Sequence, residues 1–313
     1  MTSLQRYDTD DDDYYESLPV DAKRAIQGIR GLQVAQVGVQ KEFQKEVMAL
    51  ERKYAKALQT LYERRKEIVL GKIGASKEEI ILGEVQSLKE DEDYKNLPAL
   101  PASATTSKPT LVEGFWLRVL KGHPDIENMI QETDEPALHH LTDITISYPS
   151  ILSGSGNTSL AFSVKFHFSR NEFFSNSTLT KTYVYKDEIG FFGDLLYSHV
   201  IGDVIQWKAG KDLIKLAEEA AGDDDDDDDE DDDDDDDEAS FFTFFSPPAS
   251  ITRPVNDGED SEDSLDDDFD IGEALKNQVI PRAVDYFTGD ALAYELDSDD
   301  EFDFDFDDDD EDE

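Results

Sequence analysis

Cysteine is absent from the 313-residue chain, which excludes disulfides, thiolate metal sites and cysteine nucleophiles and suits a reducing compartment. Positive charge is scarce: 29 Lys and Arg stand against 76 Asp and Glu, for a formal net charge of −47. A field of that sign repels phosphate backbones, so it argues against direct nucleic-acid binding and for a basic protein partner. No uncharged apolar run approaches the ~18 residues that suggest a membrane span. The chain opens on Asp8 and Asp10 to Asp13, where a signal peptide would be basic and then apolar. The expectation is a soluble intracellular protein with no membrane partner.

Catalytic patterns are missing too. There is no G-x-x-x-x-G-K-[ST] phosphate cradle and no G-x-S-x-G elbow. His139 and His140 are adjacent, and adjacent helical residues do not share a face, so they make a poor metal site. The aspartate runs lack the glycine-bearing spacing of a calcium loop. The expectation is no enzyme, no cofactor, no metal and no catalytic residue.

What is present is unevenly distributed. Residues 223 to 313 hold 42 acids and 3 bases, whereas residues 1 to 222 hold 34 acids and 26 bases. A near-ordinary globular part is therefore joined to an acidic part. Residues 1–17 read as a disordered acidic N-terminus. From Asp21 to about Leu70 there is no proline, and Ala, Gln, Glu, Lys and Arg abound. Phe43, Val47, Leu50, Tyr54, Ala57 and Leu61 alternate spacings of four and three, the seam of a packed helix pair. The spacing predicts a long helix within 18–72. It cannot bury this stripe against a small domain alone, so it pairs with a second copy; the alternative is a core helix bent onto the rest of the chain.

Residues 73–222 then read as an α+β unit. A stretch with Pro98, Pro101 and Pro109 is a linker or loop, followed by short helical patterns at 112–120, 125–131 and 135–141. Leu160, Phe162, Val164, Phe166 and Phe168 alternate with smaller or polar residues, which predicts a half-buried strand. Strands are also expected at 144–146, 179–185 and 203–207, giving a small antiparallel sheet backed by short helices. Residues 223–238 are 16 consecutive acids and cannot form a core. Within 239–296 the chain returns through Phe241, Phe242, Phe244 and Phe245, a segment expected to dock on the domain. An acidic linker at 257–270 leads to a short helical region broken by Pro281. The last segment, 297–313, holds 13 acids and is expected to be a disordered tail.

The acids are mixed with aromatic rings. Tyr14 and Tyr15 follow the N-terminal aspartates, and Phe302, Phe304 and Phe306 alternate with Asp303 and Asp305. Such a chain can neutralise a basic surface while inserting rings into its apolar crevices. An inert solvating tail is the plainer alternative. Asp134 and Glu135 are paired carboxylates at a helix start, where acids commonly serve local electrostatics.

Over nearly all of 18–296 the sequence resembles the nucleosome assembly protein family of histone chaperones. The matching stretches follow the family's order: Leu50-Glu-Arg-Lys-Tyr54, Leu61 to Ile68, Phe115-Trp116-Leu117, Asp134 to Leu138, Leu141 to Ile144, Phe173 to Asn176, Leu179 to Tyr183, Ile205 to Lys208, Ser240 to Pro248, and Ile280 to Gly289. The resemblance implies a homodimer through the long helix and an acidic concave surface for core histones. It implies shielding of histones from DNA, promotion of nucleosome assembly without ATP, and traffic between nucleus and cytoplasm. The candidate histone contacts are Asp134, Glu135, Phe241, Phe242, Tyr14, Tyr15, Phe302, Asp303, Phe304, Asp305 and Phe306. Family members commonly carry a hairpin with a basic import cluster before the Phe241 segment. Here that interval offers only Lys211 and Lys215, which makes autonomous nuclear import doubtful. The alternative function is an acidic regulatory protein of the same fold that inhibits or recruits a chromatin-modifying enzyme or a phosphatase.

Overall fold

The proline-free stretch forms one unbroken helix in the computed structural model, which describes residues 12–91, 93–152, 158–191, 193–221, 239–246 and 260–291. A short helix, α1 (Asp12–Ser17), precedes α2 (Val20–Val69), whose 50 residues span about 75 Å at 1.5 Å each. Only Met48 and Val69 of α2 are buried. Phe43, Leu50, Tyr54 and Leu61 of the alternating seam are 60%, 51%, 57% and 64% exposed. Ala57 is exposed as well, and Val47 is the one seam residue that is half-buried. A Cβ added at Gly28, Gly31 or Gly38 would meet nothing within 4 Å, so the first half of the helix also faces open space.

A capping box starts the next helix, α3 (Lys77–Glu90): Ser76 Oγ accepts the Glu79 N–H at 3.1 Å, and Glu79 Oε2 accepts the Ser76 N–H at 2.6 Å. Arg64 of α2 grips the same Glu79 with two nitrogens, at 2.8 and 3.0 Å, joining the two helices. The proline-bearing stretch that follows carries no helix or strand, and it is tied down by the Leu70–Leu111 and Ser76–Thr106 bridges. Three short helices come next, α4 (Phe115–Lys121), α5 (Pro124–Asn128) and α6 (Glu135–Leu138); the first two overlap the predicted spans and overrun them by one residue, and the third lies within its span.

The sheet is antiparallel, formed by β1 (Leu141–Ser147), β4 (Ala161–Phe168), β5 (Thr178–Ile189) and β6 (Leu195–Gly202) in that order. A two-stranded arm, β2 (Ile151–Leu152) with β3 (Thr158–Ser159), interrupts it in sequence. Phe162 lies opposite Tyr183, and Tyr183 opposite Val200, so their rings and methyls share one face. The predicted strand at 203–207 does not form. There the Asn176 amide bonds Val204 O at 3.2 Å and the Gln206 N–H at 2.7 Å, and Trp207 turns toward Phe174 and Phe242. Backbone bonds persist at Asp203, Gln206 and Lys208, but the Asn176 side chain takes those of Val204 and the Gln206 N–H, so only the isolated Phe174–Trp207 bridge forms.

Beyond Lys208 the chain forms α7 (Leu213–Ala221). The Phe241–Phe245 segment is a 3₁₀ turn with all four phenylalanines buried. Phe166 meets Phe241, Phe244 and Phe245 at centroid distances of 6.1, 5.9 and 5.1 Å. Each such ring contributes about 1.5–3 kcal/mol relative to exposure, which fixes the docking of the returning chain.

From Asp260 onward the expected acidic linker is helical instead: α8 (Asp260–Ala274) leads into a π-helical turn (Leu275–Val279) and α9 (Ala283–Thr288). Composition alone argues for disorder there. Tertiary contact overrides it, because Phe269 is buried between Tyr183 and Tyr197, at 5.0 and 3.4 Å between centroids. Gly272 allows this approach, since a Cβ there would collide with the Tyr183 ring. The run 223–238 and the tail 297–313 lie outside the described residues.

Candidate functional site

One buried carboxylate organises the surface. Asp134 accepts hydrogen bonds from Ser240 Oγ at 2.6 Å, the Phe241 N–H at 2.7 Å and the Gln131 N–H at 3.1 Å. Burial pushes its pKa up, while the Ser240 hydroxyl and the two amides pull the other way. Asp134 therefore clasps the point at which the chain returns from its 16-acid run.

That geometry corrects three of the expected partner contacts. Asp134, Phe241 and Phe242 are all buried and leave no surface for a partner. Four phenylalanines in five residues are taken out of water by the sheet, and the carboxylate satisfies the backbone that carries them. Glu135 remains half-exposed, in a 2.6 Å ion pair with Lys121. Tyr14 is exposed. Tyr15 is tied to α2, its hydroxyl accepting from Gln27 at 3.1 Å and its ring lying 5.5 Å from Lys23 Nζ. Phe302, Asp303, Phe304, Asp305 and Phe306 lie outside the described residues.

A buried ion pair escaped the reading of the sequence. Lys181 of β5 pairs with Asp268 of α8, and its Nζ lies 3.7 Å from the centre of the Phe244 ring. Burial pushes the Lys181 pKa down to about 8 against the pull of Asp268, and burial raises that of Asp268 against the pull of Lys181. The signal was available: Lys181 falls in phase with Leu179 and Tyr183 on the inward side of β5, where a charge needs a partner. Further along α8, Glu273 accepts from Tyr185 and Tyr197 hydroxyls at 2.8 and 3.2 Å and from Lys276 at 3.0 Å. Burial opposes its charge, yet Lys276 and the Tyr185 and Asn277 donors lower its pKa from the ordinary value. An acidic helix is thereby locked to the sheet through its few inward groups.

Two of the hollows among the described residues adjoin these elements. One, of about 460 Å³, lies between α5 and α8, with Asp125 and Asp270 from opposite walls and the buried His123 at its base. The other, of about 640 Å³, lies between α7 and residues 131–133. Among the described residues, no group of three or more His, Asp or Glu is arranged to hold a metal ion, and no helix is long and apolar enough to cross a membrane. The surface offers an acid-lined hollow, a mainly apolar one and, on α2, an exposed apolar seam, which is chemistry for binding.

Comparison with known proteins places this arrangement. The family model described as Nucleosome assembly protein (NAP) matches residues 24–290. Nucleosome assembly protein 1-like 1 of Xenopus tropicalis is 33% identical, covering 92% of this chain and 73% of its own length. Nucleosome assembly protein 1-like 4 of Homo sapiens is 32% identical, with 89% and 76% covered. The solved structure of nucleosome assembly protein 1 from Plasmodium knowlesi shares the fold, with a TM-score of 0.51 at 24% identity over 87% of this chain and 99% of that one. Because the family match runs from α2 through the sheet and the clasped return segment to α9, the chain belongs to the nucleosome assembly protein family.

Proposed function

We propose that this protein is a histone chaperone that binds core histones, shields them from unproductive DNA contacts and promotes nucleosome assembly without catalysis or ATP. The observation that carries this reading is the family match across every element from α2 to α9, on a chain whose net charge is −47. Free histones and DNA attract strongly enough to aggregate before reaching the correct geometry. An acidic receptor of intermediate affinity suppresses those contacts and yields to DNA when the right ones form.

In this reading the exposed face of α2, with Phe43, Leu50, Tyr54, Ala57 and Leu61, pairs two copies, and Val47 supports it from the edge. Exposed acids such as Asp125 and Asp270, Glu135, Tyr14 with Tyr15, and the tail rings Phe302, Phe304 and Phe306 between Asp303 and Asp305 form the histone contacts. The protein works in both nucleus and cytoplasm and enters the nucleus with its cargo. In support, Lys211 and Lys215 are each within ion-pair reach of an acid, Glu172 at 3.7 Å and Glu219 at 3.5 Å, and so make a weak import signal.

The test is competition between core histones and polylysine of matched charge, with assembly of nucleosomes on plasmid followed by supercoiling. Preferential histone binding and restored supercoiling are expected. Equal competition without assembly would mean that the protein acts as a polyanion and not as a chaperone.

A further inference from the structure

The hollow between α5 and α8 has at its base a buried nitrogen that the fold leaves unused. His123 is only 6% exposed, and its Nδ1 has no hydrogen-bond partner. Asp125 Oδ2 stands 3.9 Å from that nitrogen, too far for a bond. The ring packs beside Tyr286, at 5.7 Å between centroids. A buried polar atom without a partner costs stability, so its persistence beside a hollow points to an occupant that supplies the partner.

The walls define the chemistry of that occupant. Asp125 and Asp270 are exposed on opposite sides, from α5 and α8. Glu273 adds a third carboxylate, one that Lys276 and the Tyr185 and Tyr197 hydroxyls already engage. No lysine or arginine is among the lining residues. The π-helical turn brings Asn277 and Gln278 to the same hollow, and such turns recur at functional sites. Both amides are oriented: Asn277 donates to Glu273 Oε2 at 2.6 Å, and Gln278 Oε1 accepts from the Tyr286 hydroxyl at 3.3 Å. The volume of about 460 Å³ far exceeds the roughly 30 Å³ share of one water, so a single trapped water does not fill it. Among the described residues no group of three or more His, Asp or Glu is arranged for a metal ion. The hollow calls for a larger cation that donates hydrogen bonds.

Arginine meets these terms better than lysine. Its planar guanidinium presents five N–H donors in a fixed fork and can bond carboxylates and a ring nitrogen at once. Two acceptors 3.9 Å apart cannot bond each other but can share one such fork. The lysine ammonium is a compact, strongly hydrated charge and loses more on entering a recess with a buried floor. We propose that this hollow is an arginine pocket. It takes one guanidinium of a basic protein between Asp125 and Asp270, with the unprotonated Nδ1 of His123 as the acceptor beneath. This deepens the histone-chaperone reading and rests on it for the partner, core histones.

The full-length chain and its D270N, H123F and E78Q variants are titrated with fluorescent polyarginine and polylysine of matched length, and with labelled core histones. Asp270 is exposed, so D270N spares the core, and E78Q removes an equal charge from exposed Glu78 on α3, outside the hollow. The unaltered chain should bind polyarginine about fivefold more tightly than polylysine, the worth of one charge-assisted hydrogen bond. D270N and H123F should abolish that preference, whereas E78Q should keep it. Absence of the preference in the unaltered chain, or its survival in D270N, overturns the pocket. An equal loss in E78Q also overturns it, because the effect is then one of total charge. Circular dichroism and the thermal midpoint report whether H123F folds; if it does not, D270N against E78Q decides alone. Core histones keep the two readings apart. If the unaltered chain binds them no better than polylysine of matched charge, the chaperone reading fails, while the arginine preference and its response to D270N judge the pocket.

Discussion

Asp134 shows how one side chain can join two parts of a fold 106 residues apart in sequence. Replacing it with alanine leaves the Ser240 hydroxyl and the Phe241 N–H buried without an acceptor, at a cost of about 2–4 kcal/mol. The D134A variant should show that loss in urea denaturation, with release of the Phe241 segment visible as faster amide exchange. A loss well under 1 kcal/mol would mean the phenylalanines hold the segment unaided. Lys181 presents the converse case, a charge buried beneath a ring and paired across to α8. K181M strands Asp268 and should cost about 3–5 kcal/mol, while K181M/D268L should recover most of it. The Lys181 pKa falls to about 8 in the fold, from its ordinary 10.5. The unfolded chain therefore holds a proton that the folded chain sheds, so this residue's contribution to stability rises with pH between about 8 and 10.5. That rise should disappear in K181M. The sequence displayed both residues plainly, but it assigned Asp134 to partner contact because exposure of an acid is the ordinary case and burial depends on what arrives from elsewhere.

At the scale of elements, α2 was legible because its apolar positions repeat at short range and nothing in the stretch breaks a helix. What that pattern leaves open is which copy or domain covers it. The structure decides that this chain does not: Phe43, Leu50, Tyr54 and Leu61 are all more than half exposed. A dimer through this face predicts that the L50E/L61E variant halves the mass seen by light scattering without loss of helix, since neither side chain supports the fold of one copy. An unchanged mass would refute the seam. By contrast, α8 was misread as linker. Its local composition is that of a solvated chain, and only Phe269, Asp268 and Glu273 meeting the sheet from β5 and β6 make it a helix. The strand at 203–207 failed for the same reason, part of its backbone being taken by the Asn176 side chain and its tryptophan by rings distant in sequence.

For the whole molecule, a net charge of −47 acts over distances that no single contact reaches, within a Debye length of about 8 Å at physiological salt. Association with core histones should be fast and should slow as salt rises. Removing 223–238, or truncating after Leu296, should flatten that dependence while leaving binding at physiological salt; complete loss would place the receptor in the acidic segments and not in the folded domain. Sequence by itself determined the quantities that need no partner: charge and its concentration toward the C-terminus, the absence of thiols, the helical period of α2, the two-residue period of β4, and the apolarity of the Phe241 segment. Tertiary structure alone decided which carboxylates are buried as clasps and which are displayed, because burial is set by the neighbours a residue acquires on folding. It also decided where the returning chain joins the domain, because Ser240 folds back onto Asp134 beside residues 131–133.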